Sequence, residues 1–264
     1  MGEWIGLPIV ASAHGAEIDQ LIVYLHIIML AAFLLWGAFF ILPLVRRRHY
    51  HESQVRHRGL RGWWPYVPVA AMAAAEMALL LGLSFPYWER NVAAAPEITE
   101  DTVVVRVIGQ QFQWNIHYPG ADGIFGETDV LLVDDETNPI GLDSDDPNSA
   151  DDITSLNVMF LPVNRPVVVY LSTKEVIHSF NLTELRVKQD AIPGMRIPVS
   201  FTPTLATADF GRPFEIACAQ LCGLGHYRMR GFLNVGTDAE YEAWLAEQLE
   251  RSQAERDTDW LFEE

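Results

Sequence analysis

Two long apolar runs open the chain. Leu21 to Leu44 is a stretch of 24 residues with one histidine and no formal charge. Trp63 to Trp88 is a second run, with Glu76 as its only charge. About 20 apolar residues in a helix cross the roughly 30 Å hydrocarbon layer of a bilayer. Neither run shows the polar face of a helix on the surface of a soluble protein. The pattern therefore predicts two membrane spans, at about 21–44 and 63–88, joined by a loop at 45–62. Trp63, Trp64, Tyr66, Tyr87 and Trp88 bracket the second span as interfacial anchors do.

Beyond Glu89 the period changes. Val103–Ile108 and Val167–Leu171 are β-branched runs, and Phe214–Ala217 and Phe232–Val235 are shorter ones. Pro and Gly clusters at Tyr118–Gly120, Ile192–Gly194 and Phe210–Pro213 punctuate them. Short strands so separated predict an all-β sandwich or barrel. Thr237 with Glu240 three residues on is a capping box. Tyr241, Trp244, Leu245 and Leu249 then fall on one helical face, predicting a short C-terminal helix packed on the sandwich and a frayed tail after Ser252. The expected organisation is an outer N-terminal segment (1–19), a transmembrane hairpin (20–90), a β domain (91–252) and a tail (253–264).

Charge adds orientation. Six of the 18 basic residues (Arg46, Arg47, Arg48, Arg56, Arg58 and Arg61) lie in the short loop between the spans, with Glu52 as its only acid. The positive-inside rule places this loop in the cytoplasm and both termini outside. Glu3 stands where a signal peptide carries a basic residue, although Ala11, Ser12 and Ala13 are small enough for processing. The whole chain carries a net charge of −17, which argues against nucleic-acid partners. The stretch Pro119 to Asp152 holds 11 carboxylates, and the acidic insertion is set at 119–153. It reads as a solvated loop or as a docking surface for a basic protein. Asp143, Asp145 and Asp146 cluster within it, but the glycine and terminal glutamate of an EF-hand calcium loop are missing.

The candidate chemistry lies in Cys218-Ala-Gln-Leu-Cys222-Gly-Leu-Gly-His226-Tyr-Arg-Met229, which contains both cysteines of the chain. The spacing is C-x3-C-x3-H-x2-M, on a loop between two predicted strands. Thiolate, imidazole and thioether form a soft ligand set that favours copper in an electron-transfer site. Structural zinc would take four Cys or His ligands. One more ligand must come from elsewhere. His14, His26, His49, His51 and His57 lie in or near the membrane part, leaving His117 and His178. His178, in Val176-Ile-His-Ser-Phe180, is the better candidate. Two sulfurs can bridge two coppers, each capped by one histidine, with Met229 as a weak axial ligand and the Gln220 carbonyl as another. A thiol–disulfide exchanger would instead use C-x2-C at a helix N-terminus.

These motifs resemble subunit II of the haem–copper cytochrome c oxidases, over roughly residues 20–250. Val187 to Gly194 (VKQDAIPG) and Gly109 to Trp114 (GQQFQW) are further matches, the latter similar to the family's Gly-His-Gln-Trp-Tyr-Trp. The resemblance implies a cupredoxin-like sandwich behind the two-helix hairpin. It implies a binuclear copper (CuA) centre held by His178, Cys218, Gln220, Cys222, His226 and Met229. A separate cytochrome c would donate electrons, because no C-x2-C-H haem attachment site is present. Haem in subunit I would receive them for oxygen reduction, in a proton-translocating complex of a prokaryotic plasma membrane, among membrane lipid and other subunits.

Three departures qualify what is carried over. Many relatives place Glu, a Mg2+ ligand, between the cysteines, whereas Gln220 stands here without the charge, which leaves magnesium open. The family's aromatic point for electron uptake is Phe112, with Trp114 two residues on. The glutamate near the start of the second helix in many relatives is replaced by Arg61, Gly62 and Trp63. Glu76 deep in the second span reads as a contact to a neighbouring subunit or a proton-linked group, and His26 as a structural one. The other readings are a copper-free quinol-oxidase-type subunit and a thiol or zinc interaction domain.

Overall fold

The computed structural model describes residues 6–48, 62–94 and 96–259. Glu3, Glu52, Arg56, Arg58 and Arg61, together with His49, His51 and His57, lie outside the described residues, as does the end of the tail at 260–264.

The membrane unit consists of two helices. The first, α1, spans Gly15–Arg47, and α2 spans Trp64–Ala93; both are long and apolar enough to cross a membrane. At 1.5 Å per residue they reach about 45–50 Å, more than the hydrocarbon thickness alone requires. Glu17 in the first turn of α1 and Arg90 near the end of α2 form an ion pair at 3.2 Å, so the helices run antiparallel. Arg46 and Arg47 sit in the last turn of α1, where the helix dipole favours cations. Pro86 removes a backbone donor inside α2, and its ring would crowd the carbonyl of Gly82. The helix widens into a π turn at Leu80–Ser84, which relieves that crowding. Trp63 and Trp64 stack at 4.4 Å at the start of α2. His26 donates from Nδ1 to the Ile22 carbonyl (2.7 Å), a bond within its own helix. Glu76 lines a groove of about 520 Å³ with Leu21, Ile22, Leu25 and Leu80.

The second unit is a sandwich of two five-stranded sheets. The strands are β1 (Val103–Gln110), β2 (Gln113–Tyr118), β3 (Ile153–Leu156), β4 (Val158–Pro162), β5 (Val167–Thr173), β6 (His178–Leu182), β7 (Val187–Ala191), β8 (Ile197–Phe201), β9 (Phe214–Cys218) and β10 (Arg230–Gly236). The sheet orders are β3-β2-β1-β5-β8 and β4-β10-β9-β6-β7. Pairs β1–β5 and β4–β10 are parallel, and the remaining pairs are antiparallel. Alternate residues turn inward, as in Val103, Val105 and Val107 of β1. They meet Trp114, Phe180, Phe214 and Leu233 in one core. Fully burying an aliphatic or phenyl side chain of this size contributes roughly 1.5–3 kcal/mol.

After the short helix α3 (Thr207–Phe210), the C-terminal helix α4 runs over Asp238–Asp259. Its Tyr241, Trp244, Leu245 and Leu249 pack on the sandwich as the periodicity predicts. Trp244 meets the Tyr118 ring at 5.4 Å. The capping box forms: Thr237 donates to Glu240 Oε2 from its backbone N (2.7 Å) and its hydroxyl (2.9 Å). The helix continues past Ser252 to Asp259, where fraying was expected.

The N-terminal segment carries backbone pairing of its own. Pro8–Ala16 belongs to the sandwich unit. Ala11 N donates to Glu184 O (2.9 Å) and its carbonyl accepts from Thr204 N (2.9 Å), while the Ser12 hydroxyl donates to Leu185 O (2.5 Å). Backbone pairing, which hydropathy does not register, assigns this segment.

The acidic insertion is an ordered set of turns. Asp129 Oδ1 accepts from Leu131 N (2.8 Å), and Asp134 Oδ1 accepts from Glu136 N and Thr137 N. Asp143 and Asp146 accept backbone bonds from Asp145 and Asn148 in the same way. Asp152 goes inside instead, where it meets His117.

Candidate metal centre

The centre is assembled where β6, β9 and β10 meet the loop that joins the last two. Phe180 of β6 pairs with Cys218 of β9, which puts the start of one strand beside the end of the other. Ala219 N donates to Ser179 O (2.9 Å) and Cys218 N donates to Met229 O (3.3 Å), closing the loop on both sides. Gly223 takes φ +133°, a conformation that side-chain-bearing residues rarely adopt. Gln111 donates from Nε2 to the Cys222 carbonyl at 2.5 Å.

All six residues expected as ligands come together. Cys218 Sγ lies 3.8 Å from His178 Nδ1, 3.8 Å from Cys222 Sγ and 3.1 Å from the Gln220 carbonyl oxygen. Cys222 Sγ lies 3.6 Å from His226 Nδ1 and 3.7 Å from Met229 Sδ. Both cysteines are free thiols and buried. Their sulfurs stand well beyond the roughly 2.05 Å of a disulfide. Among the described residues, the one group of three or more His, Cys, Asp or Glu whose ligand atoms converge is His178, Cys218 and Cys222. The Asp143, Asp145 and Asp146 cluster does not form such a group.

The electrostatics fit a soft cation. Burial, reinforced by the neighbouring Cys218, pushes the Cys222 thiol up to about 11. Two adjacent buried thiols resist joint ionisation unless a positive charge stands between them. Burial, with His226 nearby, also lowers the pKa of His178, keeping its imidazole neutral and its lone pair available. Two thiols, a thioether, two imidazole nitrogens and a carbonyl form a donor set suited to copper, and the thioether is a poor zinc ligand.

The other expected site residues divide. Phe112 is partly buried against the core, and its ring lies under the metal loop. A Cβ added at Gly225 would stand 2.4 Å from Phe112 Cδ2. Trp114 is fully buried and meets the His178 ring edge-on at 5.9 Å, so a docking protein cannot touch it. His117 is not brought to the centre. Its Nε2 pairs with Asp152 Oδ2 at 2.7 Å, far along β2.

Sequence reasoning missed three supporting residues. Gln111 holds the Cys222 carbonyl. Gly109 lets the ligand ring approach the backbone, since a Cβ there would meet His178 Cδ2 at 2.7 Å. Glu175 places its carboxylate 4.0 Å from His178 Nε2. A glycine inside a strand is a signal of close approach; for Glu175 the pattern held no signal.

Residues 103–234 match the family model described as cytochrome c oxidase subunit II, periplasmic domain. The alternative cytochrome c oxidase subunit 2 of Bradyrhizobium diazoefficiens is 36% identical over 187 residues, covering 70% of this chain and 62% of that protein. The match thus spans less than two thirds of that relative. Cytochrome c oxidase subunit 2 of Cereibacter sphaeroides is 28% identical over 236 residues, covering 83% and 72%. Among solved structures, the periplasmic domain of subunit II of cytochrome oxidase of Bradyrhizobium japonicum is 26% identical, covering 60% of this chain and 99% of that domain, with a TM-score of 0.42. With half its length matched by that model and the ligand motif assembled within the match, the chain belongs to the cytochrome c oxidase subunit II family.

Proposed function

We propose that the chain is the electron-transfer subunit of a cytochrome c oxidase, taking electrons from a separate cytochrome c and passing them to haem in subunit I, where oxygen is reduced. The observation that carries this reading is the convergence of six donors around two sulfurs 3.8 Å apart. His178, Cys218, Gln220, Cys222, His226 and Met229 would hold two copper ions. When bound, the pair supplies a one-electron redox couple shared over two metals.

The protein's own part is to hold and shield. The end of β9 fixes Cys218, and the Gln111 side chain holds the Cys222 carbonyl in the loop. Burial of Cys222 and Met229 excludes water from the sulfurs. Phe112, partly buried beneath Gly223 and Gly225, is the residue through which electrons would arrive; Trp114 backs His178 from inside. The acidic insertion would attract a basic cytochrome c. The two helices would anchor the chain in a prokaryotic plasma membrane, with the arginine-rich loop in the cytoplasm and the sandwich outside. With Gln220 between the cysteines, a magnesium site lacks its charged ligand here. A quinol-oxidase-type subunit is disfavoured because its centre would lack these donors.

The test is metal counting on the full chain in detergent, reconstituted with copper. Two coppers per chain and a paramagnetic resonance signal shared over both nuclei are expected, with Cys218→Ser abolishing the sharing. One copper, zinc alone, or a reversible disulfide would overturn the reading.

A further inference from the structure

His178 is a ligand candidate with an unanswered nitrogen. Its side chain is fully buried. Gly109 packs against Cδ2 and the Trp114 ring against the imidazole edge, which fixes the plane of the ring. Nδ1 faces Cys218 Sγ at 3.8 Å. Nε2 then points away from the sulfurs and has no hydrogen-bond partner. A buried N–H left unpaired costs about 1–3 kcal/mol. The acceptor that stands before it is Glu175 Oε2, at 4.0 Å.

Glu175 is itself placed by the centre's framework. It lies in the turn between β5 and β6, three residues before His178. The Gln111 backbone N–H lies close enough to favour the charged form of its carboxyl, and the Gln111 side chain holds the Cys222 carbonyl. One residue thus ties the carboxylate and the copper loop together. The adjacent Lys174 is turned to Gln110 Oε1 (2.9 Å) and Asp135 Oδ1 (3.1 Å). Glu175 remains about 39% exposed, which leaves room for the roughly 1 Å movement that makes a hydrogen bond of a 4.0 Å approach.

We propose that Glu175 is a positioning residue for the copper centre: its carboxylate accepts the Nε2–H of His178, holds the ring in the tautomer that turns Nδ1 to the metal, and sets the reduction potential through that bond. This rests on the copper reading above. A carboxylate behind a ligating histidine raises the basicity of the ring and favours the more positive, oxidised state of the metal. Its removal favours the reduced state.

The experiment uses the full chain in detergent, loaded with copper, as wild type, Glu175→Gln and Asp135→Asn. Asp135 is a carboxylate of the same neighbourhood that bonds Lys174 and Gln110. Expected for Glu175→Gln are two retained coppers, a reduction equilibrium shifted about tenfold toward the reduced form, which is about 59 mV for one electron, and an altered coupling of the exchangeable His178 ring proton. Asp135→Asn should leave both readouts near wild type. A Glu175→Gln centre with wild-type potential and proton coupling overturns the proposal, as does an equal shift in Asp135→Asn, which would assign the effect to bulk charge. Should Glu175→Gln not take up copper, Glu175→Asp is measured: copper uptake with a potential closer to wild type supports the role, and failure of both variants to load assigns Glu175 to folding and overturns it. A wild-type chain that binds fewer than two coppers would sink the functional reading instead, before Glu175 is tested.

Discussion

His117 and Asp152 meet at 2.7 Å with both side chains fully buried, and this pair fastens the acidic insertion to β2. Asp152 Oδ2 also accepts from Gly126 N at 2.8 Å, and the Phe125 ring packs edge-on against His117 at 4.9 Å. Removing one partner leaves the other a buried polar group without its hydrogen bond, which costs about 1–3 kcal/mol. Asp152→Ala should therefore lower the stability of the sandwich by about that amount in denaturant unfolding. The double replacement His117→Phe with Asp152→Leu should recover part of it, because neither side chain is then left unpaired and only the Gly126 N–H loses its acceptor. A single variant as stable as wild type would remove the pair from the account of how the insertion is held.

Gly225 and Phe112 give a prediction at the centre itself. A Cβ at Gly225 would sit 2.4 Å from Phe112 Cδ2, and the glycine φ of −91° is one that alanine adopts freely. The penalty of Gly225→Ala is therefore a steric one, about 1–3 kcal/mol for an overpacked site. Copper affinity should fall by roughly the corresponding 5–150-fold, since the displaced loop carries Cys222 and His226. Adding Phe112→Ala, which removes Cγ as well as Cδ2, should restore part of the loss, and copper titration of the two variants decides it.

Most of the proposed ligand set is legible in one stretch, because five of its members lie between Cys218 and Met229, where spacing and chemistry are read together. His178 had to be found across 40 residues, by elimination among histidines. The residues that support them were hidden for a physical reason. Gln111 and Glu175 reach the centre from the end of β1 and the β5–β6 turn, which no local pattern encodes; for Gly109 the glycine inside a strand is the one local sign. The fold was legible in the same uneven way. The β-branched runs of β1 and β5 stand out, and so do β9 and β10. Pro162 in β4 and Pro198 in β8 look like breakers, yet both strands are at sheet edges, where a missing donor is tolerated. Asn115 and His117 make β2 look polar although both are buried. The charge run of the insertion could not reveal that Asp152, alone among its neighbours, turns inward to a histidine.

The cap of α4 predicts a pH effect with a definite sign. Hydrogen bonds from the Thr237 backbone N–H and hydroxyl hold the Glu240 carboxyl below its ordinary 4.5. A carboxyl with a lowered folded pKa adds stability that is fully present above the ordinary value. That stability is lost as pH falls through the lower, folded value. Glu240→Gln should flatten this acid limb of the stability profile below pH 5 and leave the slope above pH 5 unchanged. Thr237→Ala, which removes the cap hydroxyl, should cost about 1 kcal/mol at neutral pH. Helix content followed from pH 3 to 7 in the three proteins checks both signs.

The charge of the insertion predicts how the assembled enzyme responds to salt. Glu136 and Asp145 are exposed, and the insertion lies in a chain of net charge −17. A basic donor would be drawn toward such a surface over a distance set by the Debye length, about 30 Å at 0.01 M and 8 Å at 0.15 M ionic strength. Raising ionic strength across that range should lower kcat/KM for cytochrome c severalfold, because encounter is slowed. The rate at saturating donor should change much less, since His178, Cys218, Cys222 and Met229 are buried from the solvent ions. Glu136→Gln with Asp145→Asn should reduce the salt slope while leaving copper content at two per chain. A slope unchanged by these replacements would move the docking surface elsewhere on the sandwich, and a rate independent of salt would remove electrostatic attraction from the encounter altogether.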